Sequence, residues 1–368
     1  MACESLANFK LEIKFSSKIF DLKRLEAFMN PTPTTWPEWY SKLDTYRHAQ
    51  SLRSIWQLFN TVIPYATIWY LMILTVRNGS PYWVTLLLTV PAAAFLVRVF
   101  VLFHDCTHGS FFRSKRANAF FGYILGALVF TCFEDWRRHH LKHHQTFADL
   151  DSRAWGDVWI MTLDEYAQSS KSTQLKYRLY RHPLVLFGLG PIYSFLVRQR
   201  FASALSGRRE KRGLLLTNLL ILALIVLAVQ TIGWQVYILI QLPVIWMAGA
   251  AGIWLFYVQH QFQGVYWARK QDFDPLQAGM KGSSFFNLPG VLRWFSGNIG
   301  YHHIHHMNAL IPNYFLKKCY DDIGELKIDK PLDLINSWSC ARLKLWDEEH
   351  HMMVAFPYIC SLSSANLD

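Results

Sequence analysis

The sequence predicts an all-α integral membrane fold, with four transmembrane helices in two hairpins and a helical cap on the cytosolic side. Three observations lead to this prediction. Hydrophobic residues make up 52% of the 368 residues and charged residues only 17%, whereas about 25% is usual in a soluble domain. The apolar residues are gathered into four long runs, and histidines cluster just beyond two of these runs.

The four runs reach the roughly 20 residues that are needed to cross a bilayer core of about 30 Å. They occupy residues 54–76, 82–103, 213–232 and 235–258. Only a few residues separate the runs within each pair, so each pair is expected to form a hairpin. Two shorter runs, 117–133 and 183–197, are interpreted as interfacial or re-entrant helices. Counting both as spans gives a six-span alternative.

Charge predicts the orientation. The net charge is +11, and Lys and Arg collect outside the hairpins, including the run RREKR at 208–212, while the hairpin joints contain only Arg77. By the positive-inside rule both termini and the central segment are cytosolic. The basic charge therefore needs no nucleic-acid partner. The six cysteines include no CxxC pair, which excludes a disulfide framework and a thiolate metal site.

These features divide the chain into three parts. Residues 1–53 form a cytosolic N-terminal tail and interfacial segment, of which 1–35 are expected to be poorly ordered. Residues 54–258 form the transmembrane core, with part of the cytosolic cap at 104–212. Residues 259–368 form the rest of the cap, with a surface helix expected over 337–354.

Eleven of the fifteen histidines fall in four groups: HDCTH at 104–108, HHLKHH at 139–144, His260, and HHIHH at 302–306. Spacings of three and four residues place side chains on one helix face, about 5–6 Å apart. The predicted orientation puts all four groups on the cytosolic side. We therefore expect nine imidazoles to converge as metal ligands: His104, His108, His140, His143, His144, His260, His302, His305 and His306.

The other histidines are expected to have no part in ligation. His139 and His303 lie off the shared helix face and are interpreted as outer partners of the ligands or as local hydrogen-bonding groups. The remaining four are expected to be solvated or interfacial: His48, His182, His350 and His351.

Nine imidazoles favour a dinuclear centre. Imidazole binds iron, zinc, copper and nickel, and one zinc ion needs only three or four ligands. Few carboxylates lie at positions that match the Glu and ExxH pattern of soluble di-iron bundles, so that combined pattern is absent. Carboxylates often orient metal-bound histidines, and five aspartates flank the clusters without any sign of which do so: Asp105, Asp135, Asp149, Asp151 and Asp157. Such a centre at the mouth of an apolar bundle suits oxidation of a lipid tail.

The distant alternative is a metal transporter or a membrane zinc hydrolase. A transporter should line its spans with polar groups near the midplane of the membrane. Here the histidines lie at the ends of the spans instead.

The sequence resembles the membrane fatty acid desaturases with three histidine boxes, over about residues 52–349. The resemblance rests on HDCTHGSFF at 104–112, HLKHH at 140–144, WLFYVQH at 254–260 and GNIGYHHIHH at 297–306. NLPGVLRW at 287–294 and RLKLWDEE at 342–349 are most similar to bacterial acyl-lipid desaturases of the phospholipid Δ5 type. Phe256 stands where the acyl-CoA branch has Asn, and the first box is one residue shorter, which favours the acyl-lipid branch.

The resemblance implies O₂-dependent insertion of a cis double bond into acyl chains of membrane lipids at a di-iron centre. It also implies electrons from an external donor, since no GxGxxG dinucleotide motif is present. A ferredoxin- or flavodoxin-like protein docking on the basic cytosolic face is the expected donor. A hydroxylase or related oxygenase on the same scaffold is the alternative.

Overall fold

A computed structural model describes residues 36–153 and 157–357, so the predicted tail over 1–35 lies outside the described residues. A 3-10 helix at Glu38–Tyr46 comes first. The first eight α-helices follow: α1 (Ser51–Arg77), α2 (Tyr82–His108), α3 (Lys115–Leu128), α4 (Phe133–Thr146), α5 (Leu163–Gln168), α6 (Lys171–Tyr180), α7 (Arg208–Ile232) and α8 (Trp234–His260).

The prediction of four spans is confirmed. Within the described residues, α1, α2, α7 and α8 are the helices that are long and apolar enough to cross a membrane. The pair α3 and α4, bent by 101°, would add a fifth span if it were counted as one, which falls short of the six-span alternative. The shorter run at 183–197 forms two π-helical segments, Leu184–Leu189 and Ile192–Val197.

Both hairpin joints lie at the same end of the bundle. The Arg77 guanidinium donates to the Thr231 carbonyl over 2.9 Å, and the Tyr82 hydroxyl donates to the Leu239 carbonyl over 2.9 Å. The bundle core is buried apolar surface that includes Leu96 and Leu102 of α2 and Val244 of α8. Since α2 and α8 both run away from the joints, their histidine-bearing ends meet at the opposite end.

The cap contains short elements. Its later helices are α9 (Pro275–Lys281), α10 (Gly290–Phe295), α11 (His302–Met307), α12 (Asn313–Asp322) and α13 (Ser337–Cys340). Its strands are β1 (Met161–Thr162), β2 (Phe286–Asn287), β3 (Leu332–Asp333), β4 (Leu345–Asp347) and β5 (Met352–Val354). Strand β4 pairs in parallel with β1 and antiparallel with β5, and β2 pairs in parallel with β3.

The predicted surface helix over 337–354 is wrong. The helix ends at Cys340, and the chain continues into the β4–β5 hairpin. Leu345, Trp346 and Met353 are fully buried on these strands. Burial of large side chains against β1 and the neighbouring cap explains why this segment is not an exposed helix.

Arg181 is a buried junction between the cap and the end of α8. Its side chain is fully buried. The guanidinium donates to the Trp159 carbonyl (3.1 Å), the Tyr257 hydroxyl (3.2 Å), the Gln261 side-chain oxygen (2.9 Å) and the Leu343 carbonyl (2.8 Å). Arg181 therefore satisfies acceptors from three separate segments of the chain.

We expect Arg181→Met to destabilise the protein by about 3 kcal/mol or more, because several buried acceptors lose their donor at once. Thermal unfolding of the detergent-solubilised protein should show a midpoint lower by several degrees. Lys176→Met, on the exposed face of α6, is the control and should leave the midpoint unchanged. An unchanged midpoint for Arg181→Met would show that Arg181 does not hold these segments together.

Candidate metal centre

Four helices bring the histidine groups to the same place. The last turns of α2 carry His104 and His108, which extends that helix five residues past the predicted end of the span. The helix stops at Gly109, whose φ of +74° is a left-handed conformation that glycine adopts without strain. Helix α4 carries the histidine group at 139–144, α8 ends on His260, and α11 carries the group at 302–306.

Five of these histidines form one set, called the five-histidine set: His104, His108, His140, His144 and His305. One ligating nitrogen from each lies within 4.8 Å of all the others. The Nε2 atom of His104 is 3.3 Å from that of His108 and 2.9 Å from that of His140. The Nε2 atom of His144 is 3.2 Å from that of His140 and 3.0 Å from that of His305.

The remaining four form a second set, called the four-histidine set: His143, His260, His302 and His306. The Nε2 atom of His302 is 3.1 Å from that of His260 and 3.1 Å from that of His306. His143, His260 and His306 place ligating nitrogens within 4.8 Å of one another. The two sets adjoin, since the rings of His144 and His306 stack with centroids 4.3 Å apart.

The nitrogen contacts fit metal ions better than hydrogen bonds. An Nε2 atom carries either one proton or one lone pair, so hydrogen bonds cannot satisfy every contact in the five-histidine set. Nitrogens that share one transition-metal ion at about 2.1 Å lie about 3 Å apart, as these do. The Nε2 atom of His143 is buried without a hydrogen-bond partner among the described residues, which leaves its lone pair available.

The electrostatics favour neutral imidazoles, the form that binds metals. Burial, reinforced by neighbouring imidazoles, lowers the pKa of the set members outside the spanning helices well below the ordinary value: His140, His144, His302, His305 and His306. These rings therefore present lone pairs rather than positive charges at neutral pH.

Two of the five flanking aspartates contact a member of the sets. The Nδ1 atom of His143 is 2.6 Å from Asp157 Oδ1, and that of His104 is 3.3 Å from Asp105 Oδ1. The Nδ1 atom of His260 is 3.3 Å from the Gly282 carbonyl oxygen instead. Such outer partners fix the ring and its tautomer when a histidine binds a metal.

The other three aspartates serve the surrounding structure. Asp135 accepts a hydrogen bond from the Ser203 hydroxyl. Asp149 accepts from the backbone of Asp151, and Asp151 pairs with Arg269. The sequence could not separate these roles because all five aspartates lie close to the histidine groups.

The structure places the other six histidines apart from the two sets. His303 is buried with its Nε2 atom 3.0 Å from the Leu326 carbonyl oxygen, and burial lowers its pKa to about 4. His139 lies 3.7 Å from Asp135. The remaining four are exposed: His48, His182, His350 and His351.

Aromatic rings pack against histidines of both sets. The sequence did not predict these ring contacts. Trp136 stacks on His140 with centroids 4.3 Å apart, and Phe147 contacts His306 at 4.1 Å. Phe256 lies against both His143 and His260. Trp136 precedes His140 by one turn of α4, and Phe256 precedes His260 by one turn of α8, so the i, i+4 spacing was the available signal.

Fold and site together define an integral membrane protein with a histidine-lined centre of the metal-binding type at one end of its spanning helices. The sequence pattern of the fatty acid desaturase family matches residues 80–330. A fatty acid desaturase of Bacillus subtilis is 41% identical over 311 residues, which is 84% of this chain and 88% of the relative. The chain belongs to the fatty acid desaturase family and is an oxidoreductase.

More distant relatives carry more specific names. An sn-1 acyl-lipid omega-3 desaturase (ferredoxin) of Synechocystis is 24% identical over 239 residues, 61% of this chain and 63% of the relative. An endoplasmic reticulum omega-3 fatty acid desaturase of Vigna radiata is 27% identical over 236 residues, 59% of each chain. The chain thus spans about three fifths of these two relatives.

Proposed function

We propose that the chain inserts a cis double bond into acyl chains of membrane lipids, using O₂ and two iron ions bound by the nine histidines. The convergence of nine ring nitrogens into two adjoining sets carries this proposal. Two sets support two ions, and imidazole is a good ligand for iron. Iron, when bound, would supply the O₂ activation that removal of hydrogens from adjacent methylenes requires.

The protein's own residues hold and isolate the centre. Seven of the nine imidazoles are buried, the exceptions being the partly buried His144 and His306. Asp157 and Asp105 hold the rings of His143 and His104 in place. Trp136, Phe147 and Phe256 cover the imidazoles with apolar rings. This surrounding excludes water and favours an apolar acyl chain.

The position of the sets suits a lipid substrate. His104, His108 and His260 end helices that cross the membrane, so the centre lies at the mouth of the bundle. This position places the centre close to the acyl chains of the bilayer. The named activity of the Synechocystis relative on acyl lipids supports the same substrate class.

We further propose that the histidine end faces the cytosol. The hairpin joints lie at the other end and contain one basic residue, Arg77. The basic run 208–212 begins α7 at the histidine end, where Arg209 pairs with Glu134 of α4. The positive-inside rule then assigns this end to the cytosol. An acidic ferredoxin- or flavodoxin-like donor would be attracted to this basic face.

Expression in a host that lacks the activity tests the reaction. We expect new unsaturated acyl chains in the membrane lipids, each lighter than its saturated precursor by two hydrogens. His143→Ala should abolish them, because it removes a member of the four-histidine set. Mass analysis of the extracted lipids makes the measurement, and products that gain an oxygen would identify a hydroxylase instead.

A further inference from the structure

A buried polar chain leads from the five-histidine set to the first membrane helix. His104 Nδ1 contacts Asp105 Oδ1 at 3.3 Å. The other carboxylate oxygen, Oδ2, accepts two hydrogen bonds from Asn313, one from its backbone N–H and one from its side-chain amide, both 2.8 Å. Asn313 and Gln57 of α1 exchange reciprocal amide hydrogen bonds of 2.8 and 3.1 Å.

The residues of this hydrogen-bonded series are buried. Asp105 is 2% exposed, Asn313 0% and Gln57 8%. A buried carboxylate is stabilised by hydrogen bonds and by nearby positive charge. Among the described residues, His104 is the one basic side chain that forms an ion-pair contact with Asp105. No Lys or Arg among the described residues forms an ion pair with Asp105, so a cation bound by His104 would place positive charge next to this carboxylate.

Asn313 also contacts the loop that precedes the histidine group at 302–306. Its backbone carbonyl oxygen accepts a hydrogen bond of 3.1 Å from the Asn298 side chain. Asn298 has a φ of +58°, an uncommon conformation for a residue with a side chain. It lies four residues before His302. Asn313 thus connects the histidine group at 104–108, the loop before the group at 302–306 and the spanning helix α1.

We propose that Gln57 and Asn313 are positioning residues for the five-histidine set, acting through Asp105 on His104. Gln57 fixes the orientation of the Asn313 side-chain amide, which directs one amide N–H to Gln57 and the other to Asp105. Asn313 then holds the Asp105 carboxylate at one orientation, and Asp105 sets the ring orientation and basicity of His104. The proposal rests on the proposed metal-binding function, because it concerns how tightly and with what charge balance a metal is held.

The test compares full-length variants in lipid nanodiscs, with metal retention against a competing chelator and the reduction potential of the bound iron as readouts. We expect Asp105→Asn to weaken metal retention by about 10–100-fold, the range usual for outer partners of metal ligands. Its potential should rise, because a negative charge next to the centre is lost. Gln57→Met, which keeps the size of the side chain and the charge of Asp105, should weaken metal retention by a smaller factor and leave the potential close to the wild-type value.

Thr61→Val is the matched control. Thr61 lies one turn further along α1, is fully buried, and accepts a hydrogen bond from Arg98 rather than from the chain to Asp105. It should lower thermal stability and leave metal retention and potential at wild-type values. If Gln57→Met behaves like Thr61→Val, its role is structural and the inference is overturned while the proposed function stands. A wild-type protein isolated without metal would overturn both.

Discussion

Substitution of His305 by Ala is expected to abolish unsaturated product while the protein still inserts into the membrane. His305 is fully buried, and its Nε2 atom lies 3.0 Å from that of His144 in the five-histidine set. Loss of a proposed metal ligand should reduce activity by more than the roughly 10–100-fold typical of an outer partner. His104→Ala should act in the same way, since its Nε2 atom contacts those of both His108 and His140.

The measurement is acyl-chain analysis of host lipids, together with quantification of the protein in isolated membranes. His350→Ala is the control. His350 is exposed and, among the described residues, its hydrogen-bond partner is Asp347 near the β4–β5 turn, so product should stay at the wild-type amount. Full activity of His305→Ala would remove that residue from the ligand set.

The second large effect is expected at Asp157. Its Oδ1 atom lies 2.6 Å from His143 Nδ1, the shortest contact between an aspartate and a member of either set. Asp157→Ala should lower desaturase activity by about 10–100-fold, because His143 loses the group that fixes its tautomer and orientation. Asp157→Asn retains an oxygen acceptor and should keep more activity than Asp157→Ala.

Initial rates in membranes with equal amounts of protein would measure the Asp157 effect. Asp164→Ala is the control. Asp164 lies exposed at the start of α5, so this substitution removes another carboxylate from the cap and should leave the activity unchanged. Activity of Asp157→Ala equal to that of Asp164→Ala would show that the short contact has no bearing on the centre.

The spans and the histidine spacing were predictable because each depends on a local, periodic signal. A run of about 20 apolar residues is enough to indicate a spanning helix, and HxxxH or HxxHH is enough to place imidazoles on one face. The largest local errors among the spans are at two helix ends, because α7 begins five residues before residue 213 and α2 ends five residues after residue 103. Polar residues after 103 ended the apolar run, yet the helix continues through His108.

The division of the nine histidines between two sets was not predictable. His143 and His144 are neighbours in sequence, yet they belong to different sets, because consecutive residues on a helix point about 100° apart. His305 and His306 are divided in the same way. Which set each ring joins depends on how α4 and α11 are packed, and that is a tertiary property.

Which of the five flanking aspartates contact the histidines, and that Asn313 contacts Asp105, could not be predicted from the sequence for the same reason. Asp157 is 14 residues from His143, and Asn313 is 208 residues from Asp105. The helix predicted over 337–354 is wrong because the structure of this segment depends on pairing with β1, where Leu345 pairs with Met161, 184 residues earlier. No local pattern carries such information.

Metal analysis of the full-length protein, purified from membranes in mild detergent, tests the central claim most directly. Two adjoining sets of imidazoles predict two iron ions per chain in the wild-type protein. His305→Ala and His143→Ala, one from each set, should each contain less iron than the wild type. One zinc ion per chain without iron would contradict the account.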